Sequence, residues 1–470
     1  MIAQRTFNEK INLAASLAIK IQNILMTLSN DGFESSLKLI LESECVKSLE
    51  GVRQLGQNII TAITYRSSNI KLYAKLCYQL IQNQSSPSPS NPLETEINNT
   101  YINPLEVEMN NTANPNEGKN MLYTLKSMVL KILHLYLNGE VIFPIECVDF
   151  PFFYELMIEK VISPEEAVNL FAQFEEDNAM SEESLCHMFC WFAPEIYEYN
   201  QDLYDRLHEI FLSEHKMDSL NPAFQQFISH LPELQENNWE KLRLHREHKG
   251  EDLPIRDILM CDNIEMLKKV GKADNFDINQ TIPQSVFEIS TLTQFNPTLA
   301  CYAAFYGSLK CFKYLIEHNC DLTKKDDEGR TIAMFAVAGG CFEIVNFLHK
   351  CNADFFGTVQ IAAEYHQRSI LIWLKEVKFS DVDIAPLIFH ISAHANNVKH
   401  VMYCLSNGVN PNLQDSEHKT PLHNSAEFGF IGVLTLLLSL DDIDVNARDI
   451  CQVSFLFLYD TTSSCCFKWS

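Results

Sequence analysis

The sequence predicts an all-α protein, with a helical N-terminal half followed by a C-terminal stack of repeated helix pairs. Three observations support this fold class. Apolar residues recur every three or four positions from residue 7 to about residue 84, which is the period of a helix. A phrase of small and apolar residues recurs five times between residues 298 and 429. Finally, no stretch alternates apolar and polar residues for long enough to suggest a β-sheet.

Composition and charge restrict the classes of partner. The chain has 470 residues, 46% of them apolar, and a formal net charge of −25. Such a chain repels phosphate backbones and anionic membrane surfaces, and it contains no local basic patch, so we expect no nucleic-acid partner. No stretch reaches the roughly 18 unbroken apolar residues of a membrane helix, so we expect no membrane insertion. The 15 cysteines are mostly scattered singly, as is typical of reduced thiols. We therefore predict a cytoplasmic protein, with the nucleus as an open alternative.

The N-terminal half divides into two predicted helical regions, residues 1–83 and 121–250. The second region contains visible helix starts such as Ser163-Pro164-Glu165-Glu166. This stretch supplies an N-cap, a first-turn proline and two acids that the helix dipole favours.

Residues 84–120 are predicted to be a disordered linker rich in asparagine, proline and serine. No apolar period survives there, so folding cannot offset the loss of conformational entropy. A decapeptide is duplicated within the linker, as NPLETEINNT from Asn91 and NPLEVEMNNT from Asn103. Duplication drift in a low-complexity tract is the favoured interpretation. A doubled acidic docking peptide is the alternative.

The repeated phrase has a small pair at plus five and plus six and, in three units, a glycine at plus nine. Its five units begin at Thr298, Thr331, Gly357, Leu387 and Thr420, at intervals of 33, 26, 30 and 33 residues. Each unit is predicted to form two helices. Threonine caps the first helix, the small pair lets neighbouring first helices approach closely, and glycine allows the left-handed turn into the second helix.

The stretch of about 295–449 resembles an ankyrin-repeat domain, whose period is 33 residues, with Thr420-Pro421-Leu422-His423 as the best match. The resemblance implies an ankyrin-repeat α-solenoid over residues 298–449 that binds proteins and has no catalytic activity. Residues 251–297 resemble a divergent ankyrin-associated domain of unknown function, abundant in large ankyrin families of parabasalid protists. Residues 450–470 break the pattern as an irregular tail, so the last repeat is expected to lack a cap and to expose part of its second helix.

Candidate ligands for a metal are few. Cys186, His187 and Cys190 are within about one turn of each other on a predicted helix, but the further ligands that zinc needs are missing, so core packing is favoured. His390 and His423 resemble the ankyrin histidine that bonds its own turn. Phosphate-binding glycine loops and the HExxH and GxSxG motifs are absent from the sequence. We therefore predict no catalytic, cofactor or metal site.

An aromatic residue recurs at plus eight in three units. Equivalent positions align in a stack, and rows of exposed rings suit binding hot spots, so we predict a partly exposed row on the concave face. The alternative is that the rings only cover neighbouring repeats. The predicted partner-binding residues comprise this row, its neighbours and acids at the hairpin tips: Phe305, Tyr306, Asp327, Glu328, Glu364, Tyr365, Glu417, Glu427 and Phe428.

The predicted function is that of a protein–protein interaction scaffold, which binds partner proteins through the concave face and hairpin tips without a cofactor. One alternative is an adaptor, in which residues 121–250 recruit cellular machinery while the repeats select a client. A less favoured alternative is an enzyme within the N-terminal half. Periodicity does not encode the identity of the partner.

Overall fold

A computed structural model describes residues 15–46, 49–84, 149–176, 182–212, 221–247 and 254–454. Within these ranges the structure is helical, and its only β-structure is two isolated bridges. The all-α prediction is therefore confirmed. The predicted linker lies, after Gln84, outside the described residues, and so does the tail after residue 454.

The N-terminal helices arise from apolar stripes that meet in one core. Three consecutive residues of the last of these helices, Asn237, Asn238 and Trp239, have positive φ and break that helix into two parts. The helices are α1 (15–26), α2 (Phe33–Leu41), α3 (Leu49–Tyr65), α4 (Ile70–Gln84), α5 (Asp149–Ile158), α6 (Pro164–Glu176), α7 (Glu182–Tyr199), α8 (Gln201–Leu212), α9 (Pro222–Ser229) and α10 (Leu231–Glu247).

The C-terminal part is a stack of antiparallel helix pairs, in which each pair packs on the next. The described stack begins one pair earlier than the five predicted units. The pairs are α11 (Ile255–Met260) with α12 (Ile264–Val270), α13 (Leu299–Phe305) with α14 (Leu309–Glu317), α15 (Ile332–Gly339) with α16 (Phe342–Lys350), α17 (Thr358–Glu364) with α18 (Arg368–Val377), α19 (Ala385–His394) with α20 (Val398–Ser406), and α21 (Pro421–Glu427) with α22 (Ile431–Leu438).

The predicted helix starts are correct in four of the five units. The Thr298 hydroxyl accepts a hydrogen bond from Cys301 N at 3.2 Å, and Thr331 caps α15 in the same way. The unit placed at Leu387 is the exception, because α19 already begins at Ala385 with Pro386 in its first turn. The small pair of that unit is nevertheless buried where the pattern predicts it.

The turn between the two helices of a pair needs a left-handed residue at plus nine. Gly307, Gly340 and Gly429 have φ values of 66°, 77° and 62° there. In the two units without glycine, His366 and Asn396 adopt the same conformation, with φ of 56° and 52°. The turn geometry is thus kept in all five units, at a local strain cost where the residue has a Cβ.

Gly339 marks a close approach between α13 and α15. A Cβ at this position would lie 1.9 Å from the carbonyl oxygen of Phe305, which is backbone and cannot rotate away. An alanine would force the two first helices apart, although alanine normally favours a helix.

We expect Gly339→Ala to lower the free energy of unfolding by about 3 kcal/mol, the upper end of the usual cost of overpacking. Urea titration would measure the change. The control is Gly408→Ala, because Gly408 also lies in the repeats and a Cβ there would meet nothing within 4 Å, so any cost comes from its φ of 80° alone. If Gly339→Ala proves no more destabilising than Gly408→Ala, the close approach is not a constraint on the stack.

The two halves of the chain share their apolar cores. The N-terminal core takes in Val286, Phe287 and Ile289 from the loop that precedes α13. The core of the repeats in turn takes in Ala15 and Tyr65 from the N-terminal helices, together with Ala18. Each half therefore supplies side chains to the hydrophobic interior of the other.

Candidate partner-binding surface

The loop of residues 271–298, between α12 and α13, connects the two halves. The carbonyl oxygen of Val286 accepts hydrogen bonds from Trp191 Nε1 at 2.9 Å and from His187 Nε2 at 3.2 Å. The ring of Phe287 packs edge-on against Trp191 at 5.6 Å. Since His187, Cys186 and Cys190 are all buried in this core, their predicted packing role is confirmed.

Glu288 anchors the first ring of the predicted aromatic row. Its carboxylate accepts hydrogen bonds from the hydroxyls of Tyr302 at 2.9 Å and Tyr306 at 3.0 Å, and from Ile289 N at 3.0 Å. Glu288 is only 3% exposed, and Tyr306 is half-buried. Sequence reasoning missed Glu288 because it lies in a loop without period, and only its position inside an apolar run could have drawn attention.

Tyr365, the second ring of the row, is covered by the N-terminal half. It packs edge-on against Tyr65 of α3, with ring centroids 5.3 Å apart, and is 5% exposed. The prediction that this row is partly exposed is therefore wrong for Tyr365. The physical reason is that α3 lies against the turn between α17 and α18, where Tyr65 also contacts His366.

The third ring, Phe428, is also buried, with 6% of its surface exposed, so the predicted exposure is wrong here too. Its neighbourhood is held by Gln57 of α3. The Gln57 amide donates to the carbonyl oxygen of Gly429, and its oxygen accepts from Ile431 N at 3.2 Å. One side chain thus satisfies two backbone groups in the turn between α21 and α22. Phe305, next to the first ring, is likewise buried.

The turn before α20 is held in the same way. Asn396 donates its side-chain amide to Thr61 Oγ1 of α3 at 3.0 Å, and its carbonyl accepts from Gln22 of α1. Helices α1 and α3 therefore contact the turns of the last three repeats in succession.

These contacts also correct the expected structure of the last repeat. The Ala18 side chain of α1 lies against Gly432 of α22. A Cβ at Gly432 would lie only 2.9 Å from the Cβ of Ala18, so a larger residue does not fit at position 432. Leu434, Leu436 and Leu437 are buried, and only Leu438 has a large exposed fraction, 43%. The prediction of an uncapped terminal repeat is therefore wrong, because α1 and α3, from the start of the chain, contact its second helix in place of a following repeat.

The two predicted ankyrin histidines differ. His423 Nδ1 accepts a hydrogen bond from Thr420 N at 3.2 Å, so its role in bonding its own turn is confirmed. His390 lies in the middle of α19, because that helix begins at Ala385, and neither ring nitrogen has a hydrogen-bond partner among the described residues. The prediction that it bonds its own turn is therefore wrong.

Burial sets the charge of the groups at and next to the contact with the N-terminal helices. Desolvation raises the pKa of Glu364 to about 7, opposed by the positive charge of Arg330. Desolvation lowers the pKa of His366 to about 4, opposed by its hydrogen bond to the Ala395 carbonyl. Desolvation also lowers the pKa of His400 to about 3. At neutral pH both imidazoles are uncharged, so they contribute packing and neutral hydrogen bonds.

The predicted residues at the hairpin tips are accessible. Asp327, Glu328 and Glu417 are exposed, and Asp327 accepts a hydrogen bond from Asn296 at 2.6 Å. Glu427 is half-buried and forms an ion pair with Lys419 at 3.3 Å. The structure thus separates the predicted set into exposed tip residues and covered residues of the row.

The described part of the chain adds three findings on chemistry. Its cysteines are all free thiols. It contains no cluster of three or more histidine, cysteine or carboxylate side chains suited to a metal ion. None of its helices combines the length and apolar character required to cross a membrane.

Comparison with known proteins identifies the class of repeat. Residues 267–357 and 359–449 match the family model described as ankyrin repeats (3 copies), so ankyrin repeats are confirmed in this part of the chain. The matched range begins before the predicted boundary at residue 298 and includes most of α12.

A curated relative is the potassium channel SKOR of Arabidopsis thaliana, which is 28% identical over 220 residues. The alignment covers 45% of this chain and 26% of the channel, so the chain spans about a quarter of the length of that relative. Among solved structures, the ankyrin repeat domain of human ASB11 is 18% identical with a TM-score of 0.33, and that of Bcl-3, a member of the IkappaB protein family, is 16% identical with a TM-score of 0.27. Each similarity covers 46% of this chain and 99% of the other.

Proposed function

We propose that this protein is an interaction scaffold that binds a partner protein through the hairpin tips of its ankyrin stack, without a catalytic step. Ankyrin repeats imply a role in protein–protein interaction. We choose the hairpin tips because the predicted residues there are exposed, whereas those of the aromatic row are not. The tip residues Asp327, Glu328 and Glu417 are open, whereas the row of Tyr365 and Phe428 is covered by the same chain.

The other predicted partner-binding residues are less accessible than the tip residues. Tyr365 and Phe428, beside Tyr65 and Gln57 of α3, would reach a partner only after α3 has moved away, whereas Tyr306, Glu364 and Glu427 are half-buried and Phe305 is buried. In the structure Tyr365 helps to hold the two halves together through its contact with Tyr65.

The adaptor arrangement is a second candidate, and the exposed rings of Tyr197 and Tyr199 favour it. They are 48% and 45% exposed at the end of α7, within residues 121–250. In this arrangement the tips select a client in the cytoplasm while α7 contacts a second protein. We also propose that the chain divides into residues 1–83, 84–120, 121–250, 251–297, 298–449 and 450–470. The fourth segment is proposed to be a divergent ankyrin-associated domain.

The test of tip binding uses the full chain and two charge-reversal triples. The first is Asp327→Lys, Glu328→Lys and Glu417→Lys. The matched control reverses three exposed acids of the N-terminal half outside α7 and α8, namely Asp31, Glu34 and Glu42. Both triples change the net charge equally, so only the location of the change differs. Each protein is immobilised, and bound proteins from the source cells are identified by quantitative mass spectrometry.

We expect proteins captured by the unmodified chain to fall at least tenfold on the tip triple and to stay unchanged on the control. Equal capture by both triples would contradict binding at the tips. Loss only on a Tyr197→Ser, Tyr199→Ser double variant would favour contact at α7 instead.

A further inference from the structure

Apolar side chains project from four of the loops at the tip edge of the stack. Phe356, between α16 and α17, is 80% exposed, and Ile450, after α22, is 63% exposed. Val382, between α18 and α19, and Phe295, before α13, are 43% and 39% exposed. A single exposed apolar residue is ordinary on a protein surface. Here all four lie on the loops of one edge, and Phe356 exposes nearly its whole ring although burial of a phenylalanine is worth about 2–3 kcal/mol.

Acidic residues surround these apolar side chains. Every loop between successive helix pairs contains more acidic than basic residues. Asp354 precedes Phe356 by two positions, and Asp381 directly precedes Val382; both acids are exposed. Some of the charge is balanced internally, since Lys325 lies 3.8 Å from Asp354 and Lys419 lies 3.4 Å from Glu417. The excess remains negative along the whole edge.

Contacts join several neighbouring loops along this edge. Asp327 N donates to the Phe295 carbonyl at 3.1 Å, which joins the first two loops. The ammonium group of Lys378 lies 4.6 Å from the centre of the Phe355 ring, which joins the third and fourth. Ile450 N donates to the Glu417 carbonyl at 2.9 Å, which joins the last two. We name the surface of Phe295, Phe356, Val382 and Ile450 with their neighbouring acids the tip row.

The spacing of the tip row restricts the shape of its partner. Packed helices lie about 9 Å apart, so neighbouring loops are separated by a similar distance. An extended polyproline II segment advances about 9 Å per turn of three residues, so every third side chain faces the same way. The loops that present apolar residues are the first, third, fourth and sixth in order along the stack.

We propose that the tip row binds an extended basic segment of a partner protein, whose apolar side chains are spaced by about six, three and six residues with lysine or arginine between them. The acids of the loops pair with the cations, and the apolar side chains of the segment contact Phe295, Phe356, Val382 and Ile450. This inference rests on the proposed function, because it names the class of partner for the tips.

The probe is a fluorescent peptide of about 16 residues with leucine at this spacing, prolines that favour polyproline II, and lysine elsewhere. Two controls are a peptide of the same composition with the leucine positions scrambled, and a peptide with glutamate in place of lysine. Binding to the full chain is measured by fluorescence anisotropy at about 50 and 200 mM salt. The variant Phe356→Ser tests the apolar contact, and Ile158→Ser, at a residue 50% exposed in α5, is its matched control.

We expect the designed peptide to bind at least tenfold more tightly than either control peptide, and more weakly at the higher salt concentration. Phe356→Ser should weaken binding roughly tenfold, which corresponds to about 1.4 kcal/mol, while Ile158→Ser should not. Equal binding of the scrambled or acidic peptide, or no effect of Phe356→Ser, would overturn the inference.

The result also separates this inference from the proposed function. If the designed peptide fails to bind while the tip triple still loses its captured proteins, the partner class is wrong and tip binding stands. If the peptide fails and the tip triple captures normally, both proposals fail.

Discussion

Acidification from pH 7 to pH 4 is expected to lower the free energy of unfolding by several kcal/mol, through buried neutral histidines. Burial lowers the pKa of His187 to about 4 and that of His400 to about 3, from an ordinary value of 6.5. The unfolded chain therefore binds protons that the folded chain excludes, so stability is lost as the pH falls below about 6.5. At about 1.4 kcal/mol per pKa unit, each of these two histidines contributes about 3 kcal/mol by pH 4.

Two further groups under the N-terminal helices modify the net effect. The pKa of His366 is lowered to about 4, so this histidine adds to the loss. The pKa of Glu364 is raised to about 7, so the folded state takes up a proton between about pH 7 and pH 4.5 and gains stability as the pH falls. One carboxyl group thus opposes three imidazoles, and the net direction remains destabilising in acid.

Urea titrations at pH 7, 5.5 and 4 would measure this dependence. His187→Gln keeps a donor for the Val286 carbonyl and removes the titrating group, so the decrease between pH 7 and pH 4 should become smaller by about 3 kcal/mol. His230→Gln, at an exposed histidine, is the control and should leave the decrease unchanged. An undiminished decrease in His187→Gln would show that His187 does not contribute to acid lability.

The second large effect is expected at Glu288. Glu288→Ala removes the acceptor of the Tyr302 and Tyr306 hydroxyls and leaves both polar groups in a buried site near Arg256. Breaking such a buried charged network typically costs about 3–5 kcal/mol. Because Glu288 follows Val286 and Phe287, which belong to the N-terminal core, we expect both halves of the chain to lose stability together.

The measurement follows unfolding by hydrogen exchange in each half, at α7 and at α15. Glu288→Gln should recover part of the loss, because the amide keeps one acceptor oxygen, and Glu317→Ala, at an exposed position on α14, should cost less than about 1 kcal/mol. A decrease in only one half, or a loss in Glu288→Ala no larger than in Glu317→Ala, would contradict a joint anchoring role.

Shared anchoring has a consequence for partner binding. Gln57 and Asn396 make their contacts at the turns within the helix pairs. The tip row lies on the loops between pairs, at the opposite ends of the helices. A partner at the tips can therefore bind without disturbing α1 or α3.

The five predicted helix pairs and their turns follow from local sequence signals. Local signals suffice there, because Thr298 and Thr331 cap helices within their own segment and the residue at plus nine sets its own φ. Small pairs such as Ser425-Ala426 were correctly placed against neighbouring helices for the same reason, since the repeat makes every neighbour a copy of the known unit.

Which faces of the stack are open depends on contacts between distant parts of the chain. Residues 22, 57 and 65 contact residues 300 or more positions away, in turns whose sequence contains no sign of them. An aromatic at plus eight has the same pattern whether it meets solvent or Tyr65, so its exposure could not be predicted from periodicity. The exposure of Phe356 was equally undetermined, because the adjacent Phe355 is buried and only the fold of the loop distinguishes the two rings.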